Sequence, residues 1–143
     1  MLFRRKVLHG EKLGRKLGFP TVNFHVGSFG EHFRMGVYSC IVTFSDMRKA
    51  KSGKRKVKVL TADRLLPTTL KGALYFGPKG MGKNVLEIHL LDFSGDLYGQ
   101  RVSFEVGEKI RAPKAPKNLE DLKAMIESDI QNIRALRHDG RKF

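Results

Sequence analysis

Residues 85–93 read Val85-Leu86-Glu87-Ile88-His89-Leu90-Leu91-Asp92-Phe93, a mostly apolar run between glycine-containing turns. Alternate side chains of an extended chain point to opposite faces. The even-numbered apolar residues of the run therefore share one face, while Glu87, His89 and Leu91 share the other. We predict a strand that buries one face in a core and carries a carboxylate in the middle of the opposite face.

The segment before this strand resembles a phosphate-binding loop. It reads Gly77-Pro78-Lys79-Gly80-Met81-Gly82-Lys83-Asn84, close to the P-loop pattern G-x-x-x-x-G-K-[ST], with Asn84 in the place of the hydroxyl. A P-loop is followed by a helix whose N-terminus faces the phosphates, whereas a strand follows here. We therefore interpret the segment as a glycine-rich hairpin connection.

Four other segments have the β-branched and aromatic content, or the short-range alternation, of strands. They are Met35–Phe44, Lys56–Leu60, Thr69–Phe76, which Gly77-Pro78 closes, and Arg101–Val106. Turn signals separate them, and no helical spacer intervenes. This arrangement predicts an antiparallel sheet closed into a barrel over about residues 1–112.

The C-terminal segment has the apolar spacing of an amphipathic helix. The stripe consists of Leu119, Leu122, Met125, Ile126, Ile130, Ile133 and Leu136. Asn118 is a favoured N-cap, and Pro116 prevents an earlier start. We predict a helix over about residues 118–137, packed against the barrel in a single domain spanning 1–143.

Length and composition set the class of protein. The 143 residues fit one core, and 41% hydrophobic with 29% charged residues is typical of a globular domain. No run approaches the ~18 apolar residues of a membrane span, and the basic start of the chain is not a signal peptide. The single cysteine, Cys40, allows no intrachain disulfide and no cysteine-based zinc site. We expect a cytoplasmic monomer that does not bind membranes.

The formal net charge is +14, and half of it lies in residues 48–58, where seven lysines and arginines occur without an acid. Such a surface attracts nucleic acid or nucleotide phosphates. A solvated loop is one interpretation of this run, and a nucleic-acid-binding finger is the other. The finger lacks the interleaved aromatic residues on which bases stack.

Residues 10–23 combine features of a phosphate site. Gly10, Gly14 and Gly18 allow close approach of the backbone to a ligand, and Lys12, Arg15 and Lys16 lie between them. Pro20 favours an extended chain, in which Thr21 and Asn23 project to one side. Their neutral oxygens suit a magnesium ion already held by ATP. A glycine-rich turn followed by an ordinary strand is the alternative.

Glu87 has two interpretations. A carboxylate within a mostly apolar strand is costly unless it is solvated or has a chemical role, such as that of a general base. The alternative is an exposed carboxylate paired with one of the many lysines. The histidines show no metal-ligand spacing, and the sequence supports no Ser-His-Asp or Cys-His arrangement.

Taken in order, these segments resemble the riboflavin kinase family. The similarity begins with Gly10…Gly14-Arg15…Leu17-Gly18-Phe19-Pro20-Thr21-Val22-Asn23 and extends from about residue 7 to residue 136. The blocks behind it are Gly36-Val37-Tyr38, Glu87–Phe93, Asp96-Leu97-Tyr98-Gly99, Ile110-Arg111 and the helix 118–129.

The resemblance implies a six-stranded antiparallel Greek-key barrel with a C-terminal helix. It also implies transfer of the γ-phosphoryl group of ATP to the 5′-hydroxyl of riboflavin, giving FMN, with Mg²⁺. By matched position, Glu87 would be the general base. Thr21 and Asn23 would hold magnesium and the ATP phosphates. The other residues it implies are Gly10, Arg15 and Tyr98 for the nucleotide and Arg111 and Lys114 for the flavin.

The chain departs from the family pattern in three places. Pro113 and Pro116 stand where an acidic residue and a phenylalanine are usual, and Lys6 stands where glycine is usual. Gly77-Pro78-Lys79-Gly80 replaces a Pro-Thr-Phe-like segment. There is no room for the adenylyltransferase module of bacterial relatives, so we do not expect FAD synthesis. A non-catalytic flavin- or nucleotide-binding barrel and a basic RNA-binding barrel remain alternatives.

Overall fold

The computed structural model describes residues 1–9, 18–19, 21–45, 67–79, 82–93 and 95–136. The predicted strand Lys56–Leu60 and the basic run 48–58 lie outside these residues. The strands are β1 (Leu2–Lys6), β2 (Thr21–Phe24), β3 (Gly36–Ser45), β4 (Pro67–Lys79), β5 (Lys83–Leu90) and β6 (Arg101–Arg111). The helices are α1 (Phe29–His32) and α2 (Leu119–Arg134).

The strands form one antiparallel sheet in the order β1-β6-β3-β4-β5-β2. The part β6-β3-β4-β5 is a Greek key, because the last of four consecutive strands returns beside the first. The sheet curls into a half-barrel, and one isolated bridge links its two sides, where the Leu8 amide donates to the Asn23 carbonyl over 2.7 Å. The predicted six-stranded antiparallel Greek-key fold with a C-terminal helix is confirmed.

Several strand bounds differ from the predicted ones. β4 does not end before Gly77-Pro78 but continues to Lys79, because Pro78 lies near the hairpin end, opposite Asn84, where a missing donor is tolerated. β5 ends at Leu90 rather than Phe93, because Asp92 turns the chain with a φ of 59°. β1 was not predicted at all.

The main core fills the concave side of the sheet. Leu86, Ile88 and Leu90 all point into it, as their alternation predicts. Aromatic rings supply much of its volume: Phe3 stacks on Phe104 with 5.3 Å between ring centroids. Cys40 is a buried free thiol whose pKa burial raises well above its ordinary value.

Helix α2 covers part of the opposite, outer face. Its Ile133 packs with Ala73 of β4 and Leu91 in a second, smaller apolar cluster. The predicted N-cap is confirmed, since the Asn118 side chain accepts a hydrogen bond from the Asp121 amide over 2.8 Å. Leu119, predicted in the apolar stripe, is instead exposed. In the described part of the chain no helix has the length and apolar character needed to cross a membrane.

Candidate active site

Glu87 lies in a row of side chains that crosses the outer face of the sheet. In the register of the strands, Asn23 of β2 is opposite Glu87, and Tyr75 of β4 is opposite Glu87 on the other side. Val37 is opposite Tyr75, and Arg111 is opposite Val37. Directly opposed residues of antiparallel strands share a face. The register therefore aligns Asn23, Glu87 and Arg111, which are far apart in sequence.

The Glu87 carboxylate is both buried and paired. Glu87 is 5% exposed. Lys79 Nζ lies 3.0 Å from its Oε2 and 3.4 Å from its Oε1. The two interpretations of Glu87 are therefore combined: a lysine pairs with it, as in one, but the carboxylate is buried, as in the other. A buried carboxylate is costly unless a cation or donors compensate it, and the Lys79 ammonium has this role.

Thr21 and His89 are also opposite each other, two residues along the same strands from the Asn23–Glu87 pair. The Thr21 hydroxyl donates to the Phe19 carbonyl over 3.2 Å and lies 3.0 Å from His89 Nδ1. His89 keeps some surface open to a cavity but lies deep in the protein. This burial lowers the pKa of His89, and the Lys79 charge lowers it further, while Glu87 opposes the shift.

A cavity of about 590 Å³ lies between the outer face of the sheet and α2. Glu87, His89 and Arg111 form part of its sheet wall, and Lys114 lies in the segment that joins β6 to α2. Most of the remaining wall is apolar: Val37, Ala73, Pro113, Pro116, Leu122, Met125 and Ile126. A flat, mostly apolar ligand with a few polar groups fits such a wall.

Arg111 is fixed by the helix. Its Nε donates to Asp129 Oδ1 over 2.7 Å and its Nη2 donates to Asp129 Oδ2 over 2.8 Å. Asp129 is buried on the face of α2 that packs on the sheet. This two-point contact fixes the orientation of the Arg111 guanidinium in the wall of the first cavity.

A second cavity, of about 500 Å³, also has Glu87 in its wall. Asn23, His9 and Asn84 line it, together with Lys79 and Glu87 from the first cavity. Tyr98 stacks on His9 with 3.5 Å between ring centroids, so the predicted nucleotide residue lies beside this cavity. The cavity is more polar than the first, as suits a phosphate-bearing ligand.

The structure brings together most of the predicted site residues. Glu87, Thr21 and Asn23 are neighbours in β2 and β5, and Arg111 and Lys114 line the first cavity with Glu87. Gly10 and Arg15 lie outside the described residues. The P-loop alternative is excluded, because β5 follows the segment as a strand.

The residues of the site that were not predicted include Lys79, Tyr75 and Asp129. The register of β4 and β5 places Tyr75 opposite Glu87, whereas Lys79 is opposite Lys83 and contacts Glu87 along the same face of the sheet. For Asp129 the signal is an acid among the buried positions Ile126 and Ile133 of an amphipathic helix.

The geometry indicates what the site can do. Among the described residues, Glu87 is the carboxylate that lines both cavities, one mostly apolar and one more polar. A base in that position can accept a proton from a ligand in the first cavity while a second ligand occupies the other. No cluster of three or more His, Cys, Asp or Glu side chains with metal-binding geometry occurs among the described residues.

Relatives of known name share most of this chain. It is 33% identical over 138 residues to a bifunctional riboflavin kinase/FMN adenylyltransferase from Haemophilus influenzae, a match that covers 91% of this chain and 36% of the relative. The bifunctional enzyme of the same name from Pseudomonas fluorescens is 32% identical over 140 residues, with 92% and 36% covered. An RNA-binding riboflavin kinase from Bacillus subtilis is 32% identical over 127 residues, with 89% and 47% covered. The chain thus spans about a third to a half of the length of these relatives.

Solved structures share the fold. A macrolide-efflux protein from Streptococcus pneumoniae superposes with a TM-score of 0.65 at 21% identity, covering 95% of this chain and 39% of that one. Riboflavin kinase from Trypanosoma brucei superposes with a TM-score of 0.58 at 23% identity, covering 93% and 76%. The sequence pattern of the flavokinase family, described as riboflavin kinase, matches residues 1–137. The chain therefore belongs to the riboflavin kinase family.

Proposed function

We propose that this protein is an ATP-dependent riboflavin kinase that converts riboflavin to FMN. The observation that carries the proposal is the position of Glu87, which lines both cavities and lies opposite Asn23. Riboflavin would occupy the first cavity, with its isoalloxazine ring on the apolar wall near Arg111 and Lys114. The ATP phosphates would occupy the second cavity, with Tyr98 and His9 beside it.

In this arrangement Glu87 acts as a general base. It accepts the proton of the riboflavin 5′-hydroxyl as the hydroxyl oxygen bonds to the γ-phosphorus of ATP. The bond between that phosphorus and the bridging oxygen breaks, so FMN and ADP are the products. Phosphoryl transfer needs mainly positioning and charge stabilisation. The fixed register of β2 and β5 contributes to the positioning.

Mg²⁺ is the metal that this function implies. Thr21 and Asn23 offer a hydroxyl and an amide oxygen, and the described residues add no cluster of carboxylates around them. Such a neutral pair fits an ion that the ATP phosphates already hold, and would hardly bind free Mg²⁺. Bound there, the ion would offset the negative charge of the phosphates. The residues Gly10 and Arg15 would complete the nucleotide side.

The direct test incubates the protein with riboflavin, ATP and Mg²⁺ and separates the flavins by chromatography. We expect FMN and ADP in equal amounts. Quenching of riboflavin fluorescence without FMN would instead indicate a flavin-binding barrel that does not catalyse. The absence of both would contradict the proposed substrate.

RNA binding is a second candidate function, additional to the kinase. Two observations favour it: the seven basic residues of 48–58, and the name of the Bacillus subtilis relative, an RNA-binding riboflavin kinase. Without interleaved aromatic residues, the contact would be with the phosphate backbone and would weaken steeply with salt. Gel-shift titrations at 50 and 200 mM salt test this function. For six phosphate contacts, the affinity for RNA should be about 10³-fold lower at the higher salt concentration. Equal affinity after changing Lys54, Arg55, Lys56 and Lys58 to Gln would contradict it.

A further inference from the structure

Lys79 is placed between the two cavities. It is the last residue of β4, and together with Glu87 it lines both cavities. Its side chain is 29% exposed, whereas that of Glu87 is 7% exposed. The ammonium group therefore lies nearer the open end of the site, and the carboxylate lies deeper.

The other cations around the site are differently placed. Arg111 is held by both oxygens of Asp129, and Lys114 lines the first cavity but not the second. Lys83, which stands where a P-loop would have its lysine, is exposed and lines neither cavity. Among the described residues, Lys79 is the cation shared by the two cavities.

We propose that Lys79 is a further catalytic residue, which contacts the phosphoryl group during its transfer. This inference rests on the proposed kinase function. A hydroxyl that gives its proton to Glu87 must lie about 2.6–3.2 Å from that carboxylate. Lys79 Nζ lies 3.0 Å from the same carboxylate. Because Lys79 Nζ lies within 3.4 Å of both oxygens of that carboxylate, it is at most about 6.6 Å from a hydroxyl oxygen bound to either one. The phosphorus bonding to the hydroxyl oxygen is therefore within reach of the Lys79 side chain.

One ammonium group can serve both partners. It has three donors, so one can remain on Glu87 while another contacts an oxygen of the phosphoryl group. In the reaction the hydroxyl oxygen bonds to phosphorus, the bond to ADP breaks, and the proton moves to Glu87. Lys79 keeps its own protons throughout and stabilises the charge of the transferring group.

The alternative is that Lys79 only compensates the charge of Glu87. A comparison in the Glu87→Gln background separates the two roles, because the neutral amide in that variant leaves no charge to compensate. The variants are Lys79→Met, Glu87→Gln, the double variant, and Lys83→Met as a matched control that removes a lysine from the same hairpin. Cooperative unfolding in urea and quenching of riboflavin fluorescence establish that each variant is folded and binds flavin.

We expect Lys79→Met to lower kcat about 10²-fold, as the loss of one transition-state donor does. Lys83→Met should leave kcat unchanged. The double variant should be at least about 10-fold slower in single-turnover FMN formation than Glu87→Gln alone. Equal rates for these two would overturn the inference, because Lys79 would then act only through Glu87. If the wild-type protein forms no FMN, the proposed kinase function itself fails, which is a distinct result.

Discussion

Asp129 and Arg111 join the C-terminal helix to the sheet through two hydrogen bonds, of 2.7 Å and 2.8 Å. Asp129 is buried on α2, and Arg111 is the last residue of β6. The first cavity lies directly beside this contact and includes both residues in its wall. The position of α2 and the direction of the Arg111 guanidinium are therefore coupled.

Replacing Asp129 by Asn should weaken both properties. The variant keeps the shape of the side chain but leaves the partly buried guanidinium without its counter-charge. We expect a loss of about 1–3 kcal/mol in the free energy of unfolding, measured in urea, and weaker quenching of riboflavin fluorescence. Glu127→Gln, at an exposed position of the same helix, is the control and should change stability by less than about 0.5 kcal/mol. Unchanged stability in Asp129→Asn would contradict the coupling.

Glu87→Gln tests the general base. The amide keeps the size of the side chain but cannot accept the hydroxyl proton. We expect kcat to fall about 10²–10⁴-fold, while ATP binding, measured by calorimetry, is retained. Glu105→Gln, an exposed carboxylate of β6, should leave kcat unchanged. A Glu87→Gln enzyme with the wild-type rate would remove Glu87 from the mechanism.

Local sequence pattern was sufficient for several parts of this fold. The N-cap at Asn118 and the position of Glu87 on the face opposite the core follow from contacts within a few residues. β1 gave no such signal, because four of its five residues, all but Phe3, retain exposed surface and three are basic. Its identity as a strand depends on pairing with β6, almost a hundred residues later.

The site was predictable only where family resemblance supplied what the local pattern lacks. Asn23 and Glu87 are brought together by the β2–β5 register, which no local periodicity fixes. The same applies to Asp129 and Arg111, which meet only when α2 packs on the sheet. The Lys79–Glu87 pair lies within one hairpin, but the register places Lys79 opposite Lys83, so this contact also depends on the direction of the lysine side chain.

Thr21→Val tests the nucleotide side of the site. Valine matches the shape of threonine but loses the hydrogen bonds to Phe19 and His89 and the oxygen available to Mg²⁺. We expect KM for MgATP to rise about 10-fold or more, which corresponds to the ~1.4 kcal/mol of one lost polar contact. Riboflavin affinity should change less than KM for MgATP, because Thr21 contacts His89 but does not itself line the first cavity. Thr21→Ser, which keeps the hydroxyl, should restore KM, and a Ser variant as impaired as Val would argue against the role of the oxygen.

Ile133→Ala tests whether docking of α2 maintains the flavin cavity. Ile133 is 1% exposed and packs against Ala73 and Leu91, so truncation leaves a void in the smaller apolar cluster. We expect a loss of about 2–5 kcal/mol in the free energy of unfolding. Because the helix forms one wall of the first cavity, riboflavin affinity should fall in the same variant while ATP affinity changes little. Asn132→Ala, at the neighbouring exposed position, should change neither quantity. If riboflavin affinity stayed at the wild-type value in a destabilised Ile133→Ala protein, the packing of α2 would stabilise the fold without shaping the flavin site.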